Sequence, residues 1–214
     1  MIRPAAVVFD CDGVLADSEP HSVAAWMVVL TGLGHPATES AVEACTGLGF
    51  GPTWERLSDL EPLPPRAEVW SLLIAALEAR FIDPGLDRFP DAAAVLNRCL
   101  AESVAVAVVS ASPRQRLDLT LRHAGLDGVF SVSISGDEVD HGKPAPDAFL
   151  LAAEGLGVDP AACVVVEDSP TGVAAGLAAG ARVIAVVRDE TLREALESSG
   201  ALVVDRLTSE AIGL

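Results

Sequence analysis

The chain is short of positive charge and almost without lysine. It has 14 lysine and arginine residues against 31 aspartate and glutamate residues, which gives a formal net charge of −17 at pH 7. Lys143 is its single lysine. A nucleic-acid-binding surface needs clustered cations that neutralise phosphates, so this balance argues against that function. A phosphorylated small molecule remains compatible with it, because a local site can reverse the sign of the overall field.

Long apolar runs and closely spaced cysteines are also missing. No apolar run reaches the roughly 18 residues of a membrane-spanning helix. The chain starts with a strand pattern rather than with the apolar segment of a signal peptide. The four cysteines, Cys11, Cys45, Cys99 and Cys163, show neither CxxC nor zinc-type spacing. We therefore expect reduced thiols in a cytoplasmic protein that has no membrane partner.

The composition fits a globular protein, since 50% of the residues are hydrophobic and 21% are charged. Short apolar runs predict buried strands, with helical patterns between them. The predicted strands are Ala5–Phe9, Val104–Val109, Val129–Ile134, Ala162–Val166 and Arg182–Val187, with Ala201–Val204 as a candidate sixth. The helical patterns cover residues 91–101, 113–124, 146–156, 171–179 and 190–198. This alternation predicts a Rossmann-like three-layer core, in which helices cover both faces of a parallel sheet.

Residues 17–85 interrupt the alternation. Four helical patterns follow one another there without a convincing buried strand. They cover residues 21–31, 38–46, 52–60 and 66–80. We therefore predict a small all-helical domain, residues 17–85, inserted after the first strand of an α/β core formed by residues 1–16 and 86–214.

Unusual polar residues follow the predicted strands directly. Asp10 and Asp12 come after the first strand, Ser110 after the second, and Glu167 and Asp168 after the fourth. Ligands of an open parallel sheet bind beyond the carboxyl ends of its strands, so we expect these side chains to converge.

The chemistry of this group points to phosphate. Lys143 lies in the loop that opens the helix before the fourth strand, and so belongs to the same group. Carboxylates held this close repel one another unless a cation joins them. Oxygen ligands without histidine or cysteine suit a hard ion such as Mg²⁺. The Ser110 hydroxyl and the Lys143 ammonium are then partners for phosphate oxygens, and the residues predict a Mg²⁺-assisted phosphoryl-transfer site.

Asp10 and Asp12 can divide the chemistry between them. They alternate along an extended segment, so one carboxylate can attack phosphorus while the other protonates the leaving alcohol and then activates water. Two aspartates after a strand are also common in Asx turns, which is the structural alternative for this pair taken alone.

Four segments of the chain resemble, in order and spacing, the motifs of the haloacid dehalogenase-like (HAD) hydrolases. Phe9–Ser18 closely resembles the first motif, and Val108–Ser112 resembles the second. Gly142–Asp147 and Val166–Gly172 resemble the third and the fourth. The resemblance covers the whole chain, and four motifs in register are far more specific than any one of them.

The resemblance implies a role for each matching position. Asp10 is the implied nucleophile and Asp12 the general acid/base. Ser110 and the amide of Ala111 are implied to hydrogen-bond the phosphoryl group, and Lys143 to neutralise both nucleophile and phosphate.

The resemblance also implies a magnesium site and a cap. The implied magnesium ligands are Asp10, the backbone carbonyl of Asp12, Asp168, and Glu167 either directly or through water. The Lys143–Pro144 peptide bond is expected to be cis. The insertion corresponds to the helical cap of the family's first subclass, which closes over the site and supplies substrate specificity.

These implications favour a Mg²⁺-dependent phosphatase that hydrolyses a small sugar or polyol phosphate through an aspartyl-phosphate. We expect a monomer or a weak homodimer. The nearest alternative is a phosphomutase of the β-phosphoglucomutase type, whose cap grips a second phosphate with cations. The corresponding segment Ala44–Phe50 has no cation, although Arg56 can substitute. A different class, a receiver-like phosphoacceptor module, uses similar residues but has no helical insertion after its first strand.

Other side chains have structural interpretations. We expect His21 and His141 at the surface and Cys11 buried in the core. For His21, a position that faces the cleft at the hinge of the insertion is the alternative. The three tryptophans are expected to pack the core of the inserted domain; they are Trp26, Trp54 and Trp70.

Overall fold

The computed structural model describes residues 3–214, and the chain forms two compact units. The first, here called the core unit, consists of the described residues up to Ala16 together with Arg88–Leu214. The second, here called the inserted unit, is Asp17–Asp87.

The regular elements follow the predicted order. The strands are β1 (Ala6–Asp10), β2 (Ala105–Val109), β3 (Val132–Ile134), β4 (Cys163–Glu167), β5 (Arg182–Val186) and β6 (Leu202–Val204). The helices are α1 (Glu19–Gly32), α2 (Glu39–Glu43), α3 (Phe50–Ser58), α4 (Arg66–Arg80), α5 (Pro90–Ala101), α6 (Arg114–His123), α7 (Asp147–Leu156), α8 (Pro170–Ala178), α9 (Arg193–Glu197) and α10 (Ser209–Ile212). None of the helices in the described part of the chain is long and apolar enough to cross a membrane.

The core unit is built on one parallel sheet with the strand order β3-β2-β1-β4-β5-β6. Every residue of β1 and of β4 is buried. Their continuous apolar sequences suit strands that are covered on both faces, where valine packs well. The predicted α/β class and parallel sheet are confirmed, including the sixth strand.

The sheet is covered by helices on both faces. On one face, Phe149 of α7 and Val173 of α8 belong to the same apolar cluster as Val8, Val109 and Val165 of the central strands. This packing fixes β1, β2 and β4 side by side, so the residues that follow them emerge together at one edge of the sheet.

Several predicted elements differ from the observed ones: α2 is shorter than the pattern at 38–46, α10 was not predicted, and two further elements differ for visible reasons. The third strand starts at Val132 rather than at Val129, because the N–H of Val129 donates to Leu126 in a turn and cannot join the ladder. The predicted helix at 190–198 is split into a short 3₁₀ turn and α9, since the Asp189 side chain caps the turn at Thr191.

The inserted unit is helical throughout its regular elements. In α1 the buried residues lie one turn apart, as Trp26 and Leu30 do, and α4 contributes Val69, Leu73 and Leu77 at the same spacing. Such stripes make α1 and α4 pack face to face. The chain leaves α4 through the irregular turn Phe81–Gly85.

Candidate active site

The loop after β1 holds two aspartates on a tight turn. Asp10 ends β1, and Asp12 is followed by Gly13 with φ +84°, a value that favours glycine. The N–H of Gly13 donates to the carbonyl of Ala16 at 2.9 Å, which closes the turn. Cys11, between the two aspartates, is completely buried as predicted.

Lys143 lies between two carboxylates. Its Nζ donates to Oδ1 of Asp10 and to Oε1 of Glu167, the latter at 2.6 Å. Its side chain is only 6% exposed, and the ring centroid of Phe149 lies 5.1 Å from Nζ. The Lys143–Pro144 peptide bond is cis, as expected. The structure therefore brings the single lysine to the end of β1, where the sequence predicts the nucleophile.

The charges around Asp10 are unevenly balanced. Burial acts to lower the pKa of Lys143, but Asp10 and Glu167 outweigh it and raise that pKa above its usual value, so the ammonium stays charged. Burial raises the pKa of Asp10 well above the ordinary carboxyl range; Lys143 opposes the shift, while Glu167 and Asp12 add to it. A further cation beside these carboxylates would favour the ionised form of Asp10.

Glu167 is held entirely by protein groups. Its Oε2 accepts hydrogen bonds from the N–H of Asp168 at 2.9 Å and from the N–H and hydroxyl of Ser169, both at 3.0 Å. Its Oε1 accepts from Lys143. A Cβ on Gly172 would lie 1.7 Å from Oε1, so only glycine fits beside it. In this arrangement Glu167 is the counter-ion of Lys143, and its expected part in magnesium coordination, directly or through water, stays a prediction.

The loop after β2 surrounds the carboxylate of Asp12. The hydroxyls of Ser110 and Ser112 each donate to Oδ2 of Asp12 at 3.1 Å. Nη2 of Arg116, from the first turn of α6, lies 3.4 Å from Oδ1. Sequence reasoning selected Ser110 but missed Ser112 and Arg116. Both follow the second strand closely, as Ser110 does, and this was the only signal in the sequence that they could belong to the site.

Ala111 lies at the rim of this loop. It is exposed, and its carbonyl faces Gly136 in the loop after β3 so closely that a Cβ on Gly136 would be 2.2 Å from the oxygen. Gly136 also donates its N–H to the carbonyl of Ser112 at 2.9 Å. The two loops thus pack backbone against backbone, which fixes the segment that carries Ser110 and Ala111.

Asp168 and the Asp12–Gly13 peptide bring together hard oxygen atoms of the kind that could hold a metal ion. A Cβ on Gly13 would lie 2.0 Å from Oδ2 of Asp168, so this carboxylate rests against the backbone directly after Asp12. Because the Gly13 N–H is turned to Ala16, the carbonyl of Asp12 in the same planar peptide points the opposite way. Across residues 3–214, no three His, Cys, Asp or Glu side chains enclose an ion by themselves. The donors present fit Mg²⁺, which uses one or two carboxylates and completes its shell with other oxygens.

Of the two histidines, only His21 differs from its expected environment. His21 is half-buried rather than at the surface, with its ring packed edge-on against Phe81 at 5.5 Å. Burial, and then the neighbouring Arg80, lowers the pKa of His21. His141 is exposed as predicted, but its Nδ1 lies 3.1 Å from Oδ2 of Asp147.

Aromatic residues cluster within the inserted unit. Trp26 is buried and stacks on Phe50 with ring centroids 5.9 Å apart, and Trp70 meets Phe50 edge-on at 4.7 Å. Trp54 is half-buried, and its indole N–H donates to the carbonyl of Pro64 at 3.1 Å. Trp26 thus packs the core of this unit, while Phe50 and Trp70 keep part of their surface exposed.

Comparison with known proteins agrees with this geometry. A family model described as "haloacid dehalogenase-like hydrolase" matches residues 4–180. The fructose-1-phosphate phosphatase YqaB of Escherichia coli is 33% identical over 190 residues, which cover 83% of this chain and 94% of that protein. Hexitol phosphatase A of Escherichia coli is 34% identical over 190 residues, with coverage of 86% and 84%. The chloroplastic protein SUPPRESSOR OF QUENCHING 1 of Arabidopsis thaliana is 36% identical over 204 residues, but the chain spans only 19% of its length.

A solved structure extends the comparison to the fold. A HAD family hydrolase of Deinococcus radiodurans, crystallised with bound phosphate and sodium, is 35% identical and superposes with a TM-score of 0.71. The match covers 97% of this chain and 92% of that one. The similarity therefore includes both the core unit and the inserted unit.

Proposed function

The chain belongs to the haloacid dehalogenase-like hydrolases and is a phosphoric monoester hydrolase of that family, and we propose that it hydrolyses a small sugar or polyol phosphate with the help of Mg²⁺. The observation that carries the proposal is the position of Lys143, buried between Asp10 and Glu167 at the carboxyl ends of β1 and β4. An ammonium in this place can neutralise both an attacking carboxylate and an incoming phosphate.

The proposed reaction has two halves. In the first, a carboxylate oxygen of Asp10 attacks phosphorus, the bond from phosphorus to the leaving oxygen breaks, and Asp12 gives a proton to the departing alcohol. In the second, Asp12 takes a proton from a water molecule, whose oxygen attacks the aspartyl-phosphate and releases inorganic phosphate. Asp10 is then restored as a carboxylate, and Asp12 as an acid.

Three groups stabilise the charge that develops on the phosphoryl oxygens. Lys143 supplies a fixed positive charge, and Ser110 and the amide of Ala111 supply hydrogen bonds. The Ser110 hydroxyl donates to Asp12 in the structure, so substrate binding redirects this donor from Asp12 to phosphate. Asp10, the Asp12 carbonyl and Asp168, with Glu167 directly or through water, would hold Mg²⁺, which would supply further positive charge to the phosphoryl group. Glu167 takes part by holding Lys143.

The substrate class is proposed from the relatives and from the inserted unit. The two Escherichia coli relatives are named for fructose 1-phosphate and for hexitol phosphates. In the proposal, residues 17–85 form the cap that selects the substrate. The helical insertion after β1 also argues against the receiver-like alternative. The cytoplasmic location remains part of the proposal, supported by four buried free thiols, which a reducing compartment preserves.

The deciding experiment compares a panel of phosphorylated metabolites by kcat/KM in the presence of MgCl₂. We expect sugar and polyol monophosphates to lead the panel and Asp10→Asn to abolish phosphate release from every member. The matched control is Asp205→Asn, which removes the same charge from a side chain that is 78% exposed. Undiminished turnover by Asp10→Asn would refute the mechanism, and a panel without turnover by the wild type would refute the function.

A further inference from the structure

Arg188 joins three separate parts of the core unit. It lies just after β5, and its Nε donates to the carbonyl of Gly13 at 3.2 Å. Its two terminal nitrogens donate to the carboxylate of Asp91, in the first turn of α5, at 3.1 and 2.8 Å. One guanidinium therefore connects β5 and α5 to the loop that carries Asp10 and Asp12.

The Arg188–Asp91 pair is buried and its orientation is fixed. The two side chains are 16% and 7% exposed, and the guanidinium carbon lies 3.9 Å from the ring centroid of Phe89. Asp91 also accepts hydrogen bonds from the N–H groups of Leu207 and Ala92, both at 2.9 Å. Burial acts to raise the pKa of Asp91, but Arg188 and these amides outweigh it and lower that pKa, so the carboxylate is charged. A bidentate pair stacked on an aromatic ring leaves the arginine little freedom.

Gly13 is held at both of its backbone polar groups, which belong to two successive peptide planes. The N–H of Gly13 donates to Ala16, and its carbonyl accepts from Arg188. Gly13 has φ +84° and no side chain that could fix the turn by packing. The first hydrogen bond fixes the plane of the Asp12–Gly13 peptide, which contains the Asp12 carbonyl, and the second fixes the following plane, which is joined to it at Gly13. Only Arg188 supplies one of them from outside the turn.

We propose that Arg188, oriented by Asp91, is a positioning residue that sets the Asp12–Gly13 turn for magnesium binding. This inference rests on the proposed function, from which it takes the Asp12 carbonyl and Asp168 as metal ligands. Arg188 touches neither ligand atom and acts through the Gly13 carbonyl. Groups that orient metal ligands in this way change metal affinity by about 10- to 100-fold when they are removed.

The geometry requires arginine rather than a positive charge alone. Arg188 uses Nε in one direction and its two terminal nitrogens in another, which a lysine ammonium cannot reproduce. Arg188→Lys is therefore expected to behave more like Arg188→Met than like the wild type.

The test is calorimetric titration of the folded protein with MgCl₂, accompanied by the Mg²⁺ dependence of turnover. Arg188→Met and Arg188→Lys are expected to bind Mg²⁺ about 10- to 100-fold more weakly, while saturating Mg²⁺ restores much of kcat. Arg193→Met is the control, because it removes the same charge five residues later, where the partners Glu190 and Asp205 are 74% and 78% exposed. Its Mg²⁺ affinity is expected to match that of the wild type.

Wild-type Mg²⁺ affinity in a folded Arg188→Met or Arg188→Lys variant would overturn the proposal, as would an equal loss in Arg193→Met. If Arg188→Met does not fold, Arg188→Lys and Asp91→Asn are titrated instead and judged by the same criterion. The two proposals fail differently. A wild type that binds Mg²⁺ but cleaves no phosphomonoester refutes the proposed function, whereas an active wild type with unaffected Arg188 variants refutes only the role of Arg188.

Discussion

Nζ of Lys143 lies 2.6 Å from Oε1 of Glu167, and the two side chains are 6% and 1% exposed. The only lysine in a chain with 14 basic residues is thus enclosed at the end of the central strands. A buried ammonium that must contact Asp10 and Glu167 at once is a compact point charge, and the planar fork of arginine is a poor replacement for it. The scarcity of lysine elsewhere makes this position stand out in the sequence, and its contacts explain why it is retained.

Lys143→Arg is expected to reduce kcat by about 100-fold or more, the usual cost of removing a well-placed charge from the reacting group. Circular dichroism and thermal unfolding should show an intact fold. Arg193→Lys provides the control, because it makes the converse exchange in a surface ion-pair cluster. Near-normal turnover by Lys143→Arg would mean that the single lysine is an accident of composition.

Gly172→Ala tests the space beside Glu167. The added Cβ would lie 1.7 Å from Oε1, so Glu167 has to leave Lys143. Breaking a buried ion pair in this way costs about 3–5 kcal/mol, and we expect a loss of that size in the free energy of unfolding, together with most of the activity.

Urea denaturation measures the stability change, and Gly32→Ala is its control. No atom lies within 4 Å of the Cβ position of Gly32, so that variant is expected to keep wild-type stability or to exceed it slightly. If Gly172→Ala proves as stable as Gly32→Ala, the claim that Gly172 packs directly against Glu167 is contradicted.

The sequence predicted the sheet well because each central strand can be recognised from its own residues, without knowledge of its neighbours. β1 and β4 are continuous apolar runs that are buried on both faces, and such runs have few other structures available. The convergence of Asp10 and Glu167 followed from the rule that parallel strands end at one edge, and Lys143 was added from its place in the loop before α7. That prediction needed no knowledge of side-chain geometry.

The contacts between distant segments could not be predicted in the same way. Arg188 and Asp91 are 97 residues apart, and Arg116 and Asp12 are 104 residues apart. In the sequence these arginines resemble ordinary surface arginines, since no local pattern marks the partner. For Glu167, the sequence predicted the position at the end of the fourth strand. It did not predict the hydrogen bonds to Ser169 and Lys143, which depend on how α8 starts.

Asp12→Asn separates the two proposed proton transfers. An aryl phosphate has a leaving group that needs little protonation, so Asp10 can still be phosphorylated, whereas attack by water on the aspartyl-phosphate lacks its base. We expect a burst of phenolate close to one equivalent per enzyme, followed by slow turnover, and an intact mass increased by one phosphoryl group. A variant that turns over without a burst and without the mass change would contradict the assignment of Asp12.

The Arg188–Asp91 pair predicts an acid-sensitive contribution to stability. The pKa of Asp91 is lowered in the folded state, so the folded chain binds fewer protons there than the unfolded chain. The stabilisation is therefore complete above the unfolded carboxyl pKa of about 3.9 and is lost as the pH falls through the lower folded value.

Asp91→Asn should be less stable than the wild type by about 2 kcal/mol at neutral pH, the scale of a hydrogen bond to a charged group. The difference should shrink as the pH falls below about 4, because the wild type then loses the same interaction. Urea unfolding across this range measures it, with the exposed Asp205→Asn as control. A difference that stays constant with pH would show that the Asp91 carboxylate contributes through packing rather than through charge.

The last prediction distinguishes a phosphatase, which transfers the phosphoryl group to water, from a phosphomutase, which transfers it to a second position of the sugar. A mutase of the β-phosphoglucomutase type needs cap cations for a second phosphate, and the segment Ala44–Phe50 has none. The alternative cation, Arg56, donates to the carbonyl of Ala44 at 3.2 Å and so ties α3 to the end of α2. With β-glucose 1-phosphate we expect inorganic phosphate as the product, without glucose 6-phosphate, and we expect Arg56→Met to release phosphate at nearly the wild-type rate. Interconversion of the two sugar phosphates that is lost in Arg56→Met would assign the chain to the mutases and give Arg56 the second phosphate.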